Sequence, residues 1–140
     1  MSFGEKDYNF LTEKIIEACI EVHRELGPGL LESVYEVCTI AVLKQKGLRV
    51  ENQVTLPVCF KGEKLEKDFI IDILVEDKII LELKAIETLL PIHEAQLVTY
   101  LKLSDKKLGL LINFNVPLLV QGIKRKINGN LNEVTFANTQ

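Results

Sequence analysis

Apolar residues recur at helical spacing from about Asn9 to Leu26, with Ile15, Ile16, Cys19, Ile20 and Leu26 on the repeat and Glu and Lys between them. That periodicity predicts an amphipathic helix. Gly27-Pro28-Gly29 then breaks the chain. A second helical pattern runs from about Leu30 to Lys46 and stops at Gly47, a residue suited to a helix C-terminus. The two segments together predict a helical hairpin. After Gly47 the pattern changes. Val50 to Phe60 is β-branched and partly alternating, and Lys61-Gly62-Glu63 supplies a turn. Lys67–Val75 and Lys78–Ala85 read as two further strands joined at Glu76-Asp77-Lys78. Helical spacing returns from about Ile92 to Leu103. Leu108 to Phe114 is a nearly continuous apolar run, as expected for a strand covered on both faces. Val116 to about Asn128 fits a strand or a short helix equally well, and the polar residues beyond Gly129 read as a frayed end.

The order helix, helix, three strands, helix, strand predicts an α/β fold with a mixed central sheet of four to five strands flanked by helices. No linker divides the pattern, so residues 1–140 read as one domain with a core over about 9–128. The chain is 47% hydrophobic and 26% charged, which places it among globular rather than disordered sequences. Tryptophan is absent, so Leu, Ile and Val must build the core.

A net charge of −3 argues against a protein that coats nucleic acid, because counterion release to Lys and Arg drives such binding. It leaves room for an enzyme that touches a few phosphates and gathers carboxylates around a cation. Cys19, Cys38 and Cys59 are odd in number, far apart and set in apolar runs. They read as free, partly buried thiols in a reducing cytoplasm rather than a disulfide frame or zinc site. No apolar stretch approaches a membrane span, and the N-terminus lacks a signal region.

The strongest local anomaly is Ile79-Ile80-Leu81-Glu82-Leu83-Lys84-Ala85, where two charges sit in an otherwise buried strand. A buried charge needs a partner, a metal or a cavity. Residues two apart on a strand share a face, so Glu82 and Lys84 lie together. An edge strand with an ordinary solvated ion pair accounts for this segment alone equally well. Asp72 lies in a second apolar strand, Phe69 to Val75. A three-residue loop at Glu76-Asp77-Lys78 would pair Val75 with Ile79 and set Asp72 opposite Glu82; a two-residue turn would put the carboxylates on opposite faces. Two opposed carboxylates repel unless a cation lies between them, and an all-oxygen site favours Mg²⁺ or Mn²⁺ over zinc.

On the following helix His93, Gln96 and Tyr100 form one polar stripe, which would either line the site or face solvent. Glu32, Tyr35 and Glu36 share a face one turn after the glycine break; a Glu there is ordinarily explained by the helix dipole. His23 reads as a satisfied, partly buried histidine. Ser33 and Ser104 have no His-Asp arrangement nearby, and neither a nucleophile elbow nor a phosphate-binding glycine loop is present.

Asp72, nine residues, then Glu82-Leu83-Lys84 resembles the signature of the PD-(D/E)XK nucleases, and Gln96-x-x-x-Tyr100 resembles the Q-x-x-x-Y element of their exonuclease-like branch. Gly29-Leu30-Leu31-Glu32-Ser33-Val34-Tyr35 is similar to the motif that names the small bacterial GxxExxY family, placed in that superfamily. The likeness runs from about residue 11 to 126. It implies a restriction-endonuclease-like core and a nuclease acting on DNA ahead of RNA with Mg²⁺ or Mn²⁺. Asp72, Glu82, the Leu83 carbonyl and Glu32 would hold the metal, Lys84 would serve the attacking water and the phosphate, and Gln96 and Tyr100 would position them. Ile71 stands where the superfamily's name has proline. The competing readings are a non-catalytic nucleic-acid-binding or regulatory module on the same fold, and one subunit of a homodimer or larger DNA-processing complex. Lys124-Arg125-Lys126 and Lys102, Lys106 and Lys107 are the only basic clusters available as a DNA-contacting rim.

Overall fold

A computed structural model of the chain describes residues 3–132. The first helix, α1 (Glu5–Leu26), begins one turn earlier than its apolar periodicity predicts. Its start is set by a polar contact: the Gly4 N–H donates to Asp7 Oδ2 at 2.8 Å and closes the first turn. Helix α2 (Glu32–Gln45) follows the glycine break. Strand β1 (Val50–Phe60) lies where the alternation predicts it, but β2 (Glu63–Val75) starts four residues before Lys67. Lys61 and Gly62 adopt φ 52° and 82°, the left-handed pair of a primed hairpin turn, so Phe60 pairs with Glu63. The charged stretch from Glu63 to Asp68 carries no apolar alternation, which is why its strand character is silent in the sequence.

Strand β3 (Ile79–Lys84) leads to α3 (Pro91–Ser104), which is closed at its start by Pro91 and by His93 Nδ1 accepting the Leu90 N–H at 2.9 Å. Strand β4 (Leu108–Asn113) is buried at every position, as its unbroken apolar run requires. The ambiguous tail resolves into both alternatives in turn, a 3-10 turn at Leu119–Gly122 and strand β5 (Ile123–Ile127).

The five strands form one sheet in the order β1-β2-β3-β4-β5. Strands β3 and β4 are parallel and connected through α3; the other neighbours are antiparallel. Helices α1 and α2 cover one face over a large core that includes Ile15, Cys19, Tyr35, Leu43, Leu81 and Phe114. The opposite face carries a smaller core in which Ile80 and Leu111 meet Leu97, Tyr100 and Leu101 of α3. Ile79, Ile80, Leu81, Leu83, Leu108, Leu110, Leu111 and Ile112 are all essentially inaccessible. At about 1.5–3 kcal/mol per fully buried aliphatic side chain, these two strands outweigh the several kcal/mol that one desolvated carboxylate costs. They can therefore carry Glu82.

Two expectations are corrected. The end beyond Gly129 is not wholly polar and frayed: Leu131 is 6% exposed in the large core, and Asn132 Oδ1 accepts the Glu5 N–H at 3.0 Å. Residues 133–140, the rest of that segment, lie outside the described residues. All three cysteines are free, but only Cys19 is buried, its thiol pushed up to about 12 by desolvation. Cys38 is half-buried, and Cys59 is exposed in the mostly exposed outer half of β1. Among the described residues, no helix is long and apolar enough to cross a membrane.

The Gly27-Pro28-Gly29 break is held from inside. Tyr35 is fully buried, donates its hydroxyl to the Gly27 carbonyl at 2.6 Å and accepts the Leu30 N–H at 3.2 Å. Its ring stacks on Phe114 with centroids 4.5 Å apart. The tyrosine thus shares a helix turn with Glu32 but points into the core, fixing where α2 begins. Tyr35→Phe keeps the stack and removes both hydrogen bonds; urea denaturation is expected to show a loss of about 1–3 kcal/mol. An unchanged midpoint would mean the loop is held by other contacts.

Candidate active site

Strands β2 and β3 pair as the three-residue loop predicts: Val75 with Ile79, Leu74 with Ile80 and Ile73 with Leu81. The same register brings Asp72 opposite Glu82, but the ladder has ended there. In its place the Asp72 N–H donates to Glu82 Oε2 at 2.9 Å, and the Leu83 N–H donates to Asp72 Oδ2 at 2.8 Å. Each carboxylate therefore satisfies a backbone donor of the other strand, and the two strands part as a fork with both acids in its crotch. Lys84 is half-exposed at the last position of β3, paired with Asn113 in the parallel ladder.

Charge around the fork is lopsided. Burial, and then the neighbouring Asp72, push the Glu82 carboxyl up to about 8, against the opposing pull of the Asp72 N–H and Lys84. Burial likewise raises Asp72 to about 6, with Glu32 and Glu36 adding to the rise and the Leu83 N–H and Lys84 resisting it. Glu32 is also raised, chiefly by burial, with Lys84 acting against it. Neighbouring carboxylates thus add to the rise at Asp72, Glu82 and Glu32, and Lys84 opposes it at all three.

Tyr100 belongs to the α3 core at 6% exposure, with Phe69 beside it at 5.3 Å between ring centroids. Its hydroxyl is raised by burial and then by the charges of Glu82 and Asp72, so it stands beside the fork. Gln96, one turn earlier, is exposed on α3, and His93 is used in capping that helix. The polar stripe is therefore divided among three different roles. His23 Nε2 lies 2.8 Å from the Val116 carbonyl, the satisfied histidine expected of it.

Asn113, at the end of the apolar Leu108–Phe114 run, holds the exit of β3. Its Oδ1 accepts the Ile86 N–H at 3.0 Å and the Asn115 N–H at 3.2 Å, while Nδ2 donates to the Ile86 carbonyl at 2.9 Å. The Phe114 N–H donates to the Lys84 carbonyl at 2.9 Å. A buried asparagine at the end of an apolar run was the available signal. Glu36 and Gln53 form a further pair: Gln53 Nε2 donates to Glu36 Oε2 at 2.7 Å. Nothing in their separation along the chain announces that contact.

A family model of the PD-(D/E)XK nuclease superfamily matches residues 9–126, most of the chain. The chain belongs to this superfamily. No curated protein and no solved structure matches it at a significant level. As a PD-(D/E)XK protein it has the expected restriction-endonuclease-like arrangement, with three α-helices around a mixed five-stranded sheet among the described residues. Superfamily membership points to nuclease chemistry on nucleic acid, generally with divalent metals. The all-oxygen pair Asp72 and Glu82 fits such an ion, since each carboxylate has a second oxygen beyond its N–H bond and both acids resist ionising without added positive charge. Among the described residues no three His, Cys, Asp or Glu side chains stand as a ready ligand group. The basic clusters are partly committed elsewhere: Lys126 to Glu94 at 2.6 Å, Lys106 to Asp77 at 3.0 Å and Arg125 to Asn9 at 2.9 Å.

The raised acids set a pH dependence for the metal-free protein. Their folded-state values of about 6 and about 8 exceed the ordinary carboxylate values, so the stability they contribute is present in acid and is lost as pH rises through 6 and then 8. The melting temperature of metal-free protein is expected to fall between pH 5 and 8.5 by this contribution, and Glu82→Gln should flatten the upper part of that fall. Parallel profiles for the two proteins would show that Glu82 is not desolvated at the fork.

Proposed function

We propose that the chain is a Mg²⁺- or Mn²⁺-dependent nuclease that hydrolyses phosphodiester bonds, with DNA ahead of RNA as substrate. The observation that carries this reading is the pair of hydrogen bonds that fix the two acids, Asp72 N–H to the Glu82 carboxylate and Leu83 N–H to the Asp72 carboxylate, with Lys84 two residues beyond Glu82 on β3. Within the superfamily, Gly29, Glu32 and Tyr35 support assignment to the GxxExxY branch.

In this reading Asp72, Glu82 and the Leu83 carbonyl hold the ion, and Glu32 supports it from α2 through water. When bound, the ion would polarise a phosphoryl oxygen and acidify a water molecule. The Lys84 ammonium stands where the phosphate gains negative charge and orients the attacking water. Tyr100 limits water on the α3 side of the fork, and exposed Gln96 is placed to meet the substrate backbone. The hydrogen bonds from the Asp72 and Leu83 N–H groups fix both carboxylates before any ligand arrives, which lowers the ordering cost of binding.

A second reading is supported by surface character. Leu31 is 73% exposed at the start of α2, Leu90 50% at the start of α3 and Leu118 62% in the loop after β4. Apolar side chains exposed on three loops suit a protein partner, as in a subunit of a DNA-processing complex.

Labelled single- and double-stranded DNA and RNA, incubated with Mg²⁺ or Mn²⁺, test the catalytic reading. Wild type should cleave, Asp72→Ala should be inactive, and Lys84→Ala should lose about 10²–10³-fold in rate. Equal cleavage by all three would identify a contaminant. A wild type that binds Mn²⁺, seen as a rise in melting temperature, but never cleaves would favour the partner-dependent reading.

A further inference from the structure

Five non-glycine residues among those described have positive φ: Lys61, Glu76 and Asp77 lie in turns, Asp105 caps α3, and Gln53 alone lies inside a strand, at φ 51°. L residues avoid this conformation, and a long unbranched side chain gains nothing from it locally. Its place in the sheet gives the reason. The β1–β2 register pairs Asn52 with Ile73 and Val54 with Ile71, so Gln53 stands opposite Asp72.

The ribbon changes facing at that pair. Residues two apart on a strand share a face. Val50 on β1, and Ile73 and Val75 on β2, pack with the α1–α2 core. Val54 and Leu56 have the same parity as Val50, and Ile71 the same parity as Ile73, yet all three pack with the α3 core. The register is unchanged across this swap, so no residue has been inserted; the backbone has rotated. A single left-handed residue supplies such a rotation. The rotation acts on Asp72 itself, whose regular alternation would otherwise send it to the α3 face with Leu74. Instead its carboxylate enters the gap between β2 and β3 and meets the Leu83 N–H. The Gln53 side chain fastens the rotated segment to α2 through Glu36.

The geometry points to Gln53 as a positioning residue of the site: its left-handed backbone turns the β1–β2 ribbon so that Asp72 is delivered into the fork. The same rotation lays Phe69 against Tyr100, so a role confined to packing must be separated from positioning. This inference rests on the metal-binding reading only for its consequence, because the placement of Asp72 can be measured without a metal.

The measurement is amide hydrogen exchange of the full chain, followed at Leu83, whose acceptor is Asp72, and at Leu110, which is buried in the same sheet. Gln53→Gly retains access to φ near +50° and should keep Leu83 protection within about threefold of wild type. Gln53→Val, β-branched and excluded from that region, should speed Leu83 exchange by about tenfold or more while Leu110 stays protected. Mn²⁺ affinity should follow the same order. If Val unfolds the whole sheet, so that Leu110 also exchanges, Gln53→Ala carries the comparison, with Leu83 less protected than in the Gly variant. Unchanged Leu83 protection in a folded Val or Ala variant overturns the inference. So does a Gly variant as damaged as Val, since that would place the role in the side chain. If Leu83 responds as expected but wild type binds no Mn²⁺, the metal reading fails and the positioning role stands.

Discussion

Where β2 and β3 separate, two carboxylates do the work that a pair of carbonyls would do in an unbroken ladder. Glu82 accepts the Asp72 N–H and Asp72 accepts the Leu83 N–H, so no backbone donor is stranded as the strands part. The substitution creates an opening in the sheet without the cost of unsatisfied polar groups. It also binds the two acids to fixed backbone positions despite their mutual repulsion. Hydrogen bonds from N–H groups favour the charged form, while burial and nearby carboxylates, Asp72 and Glu32 for Glu82 and Glu32 and Glu36 for Asp72, disfavour it. Burial prevails at both positions. The fork is consequently a place where positive charge is wanted.

The remaining structure keeps that fork in shape. The apolar β3 and β4 strands are sealed on both faces, which makes room for one buried carboxylate. Beyond Lys84 the chain would otherwise fray, and the Asn113 amide replaces a missing strand neighbour by bonding both polar groups of Ile86. Phe114, next in sequence, ties the Lys84 carbonyl on one side and stacks on Tyr35 on the other. Tyr35 in turn sets the glycine loop from which α2 starts, and with it the position of Glu32. Gly122 completes the support, because a Cβ there would lie 2.3 Å from the Asn113 carbonyl oxygen. Lysine, helix start and loop are thus coupled through three consecutive contacts around β4.

The surface is less suited to a polyanion than the fork is to a cation. Acidic residues outnumber basic ones, and Lys106, Lys126 and Arg125 of the basic clusters are engaged within the chain. Affinity for nucleic acid would therefore depend on the ion and on few phosphate contacts, rather than on a broad basic face. The exposed leucines at the starts of α2 and α3 are compatible with a protein surface adjoining the site.

Periodicity and turn chemistry in the sequence determined the helices and four of the five strands, and narrowed the β2–β3 turn to two lengths, of which the structure has the three-residue loop that sets Asp72 against Glu82. These are local properties: an apolar repeat selects a face, and a turn of given length selects a register. The buried charge of Glu82 was also legible, because a carboxylate within an apolar strand is anomalous wherever the chain goes. Tertiary structure alone decided the rest. That Asp72 lies in the fork rather than on the α3 face depends on a rotation at Gln53, a residue on a different strand with no compositional mark. The division of labour between Glu32 and Tyr35, one toward the site and one into the core, follows from what packs on each side of α2. Asn113 and Glu36 acquire their roles from partners distant along the chain, and a sequence read from its local pattern contains no record of such partners.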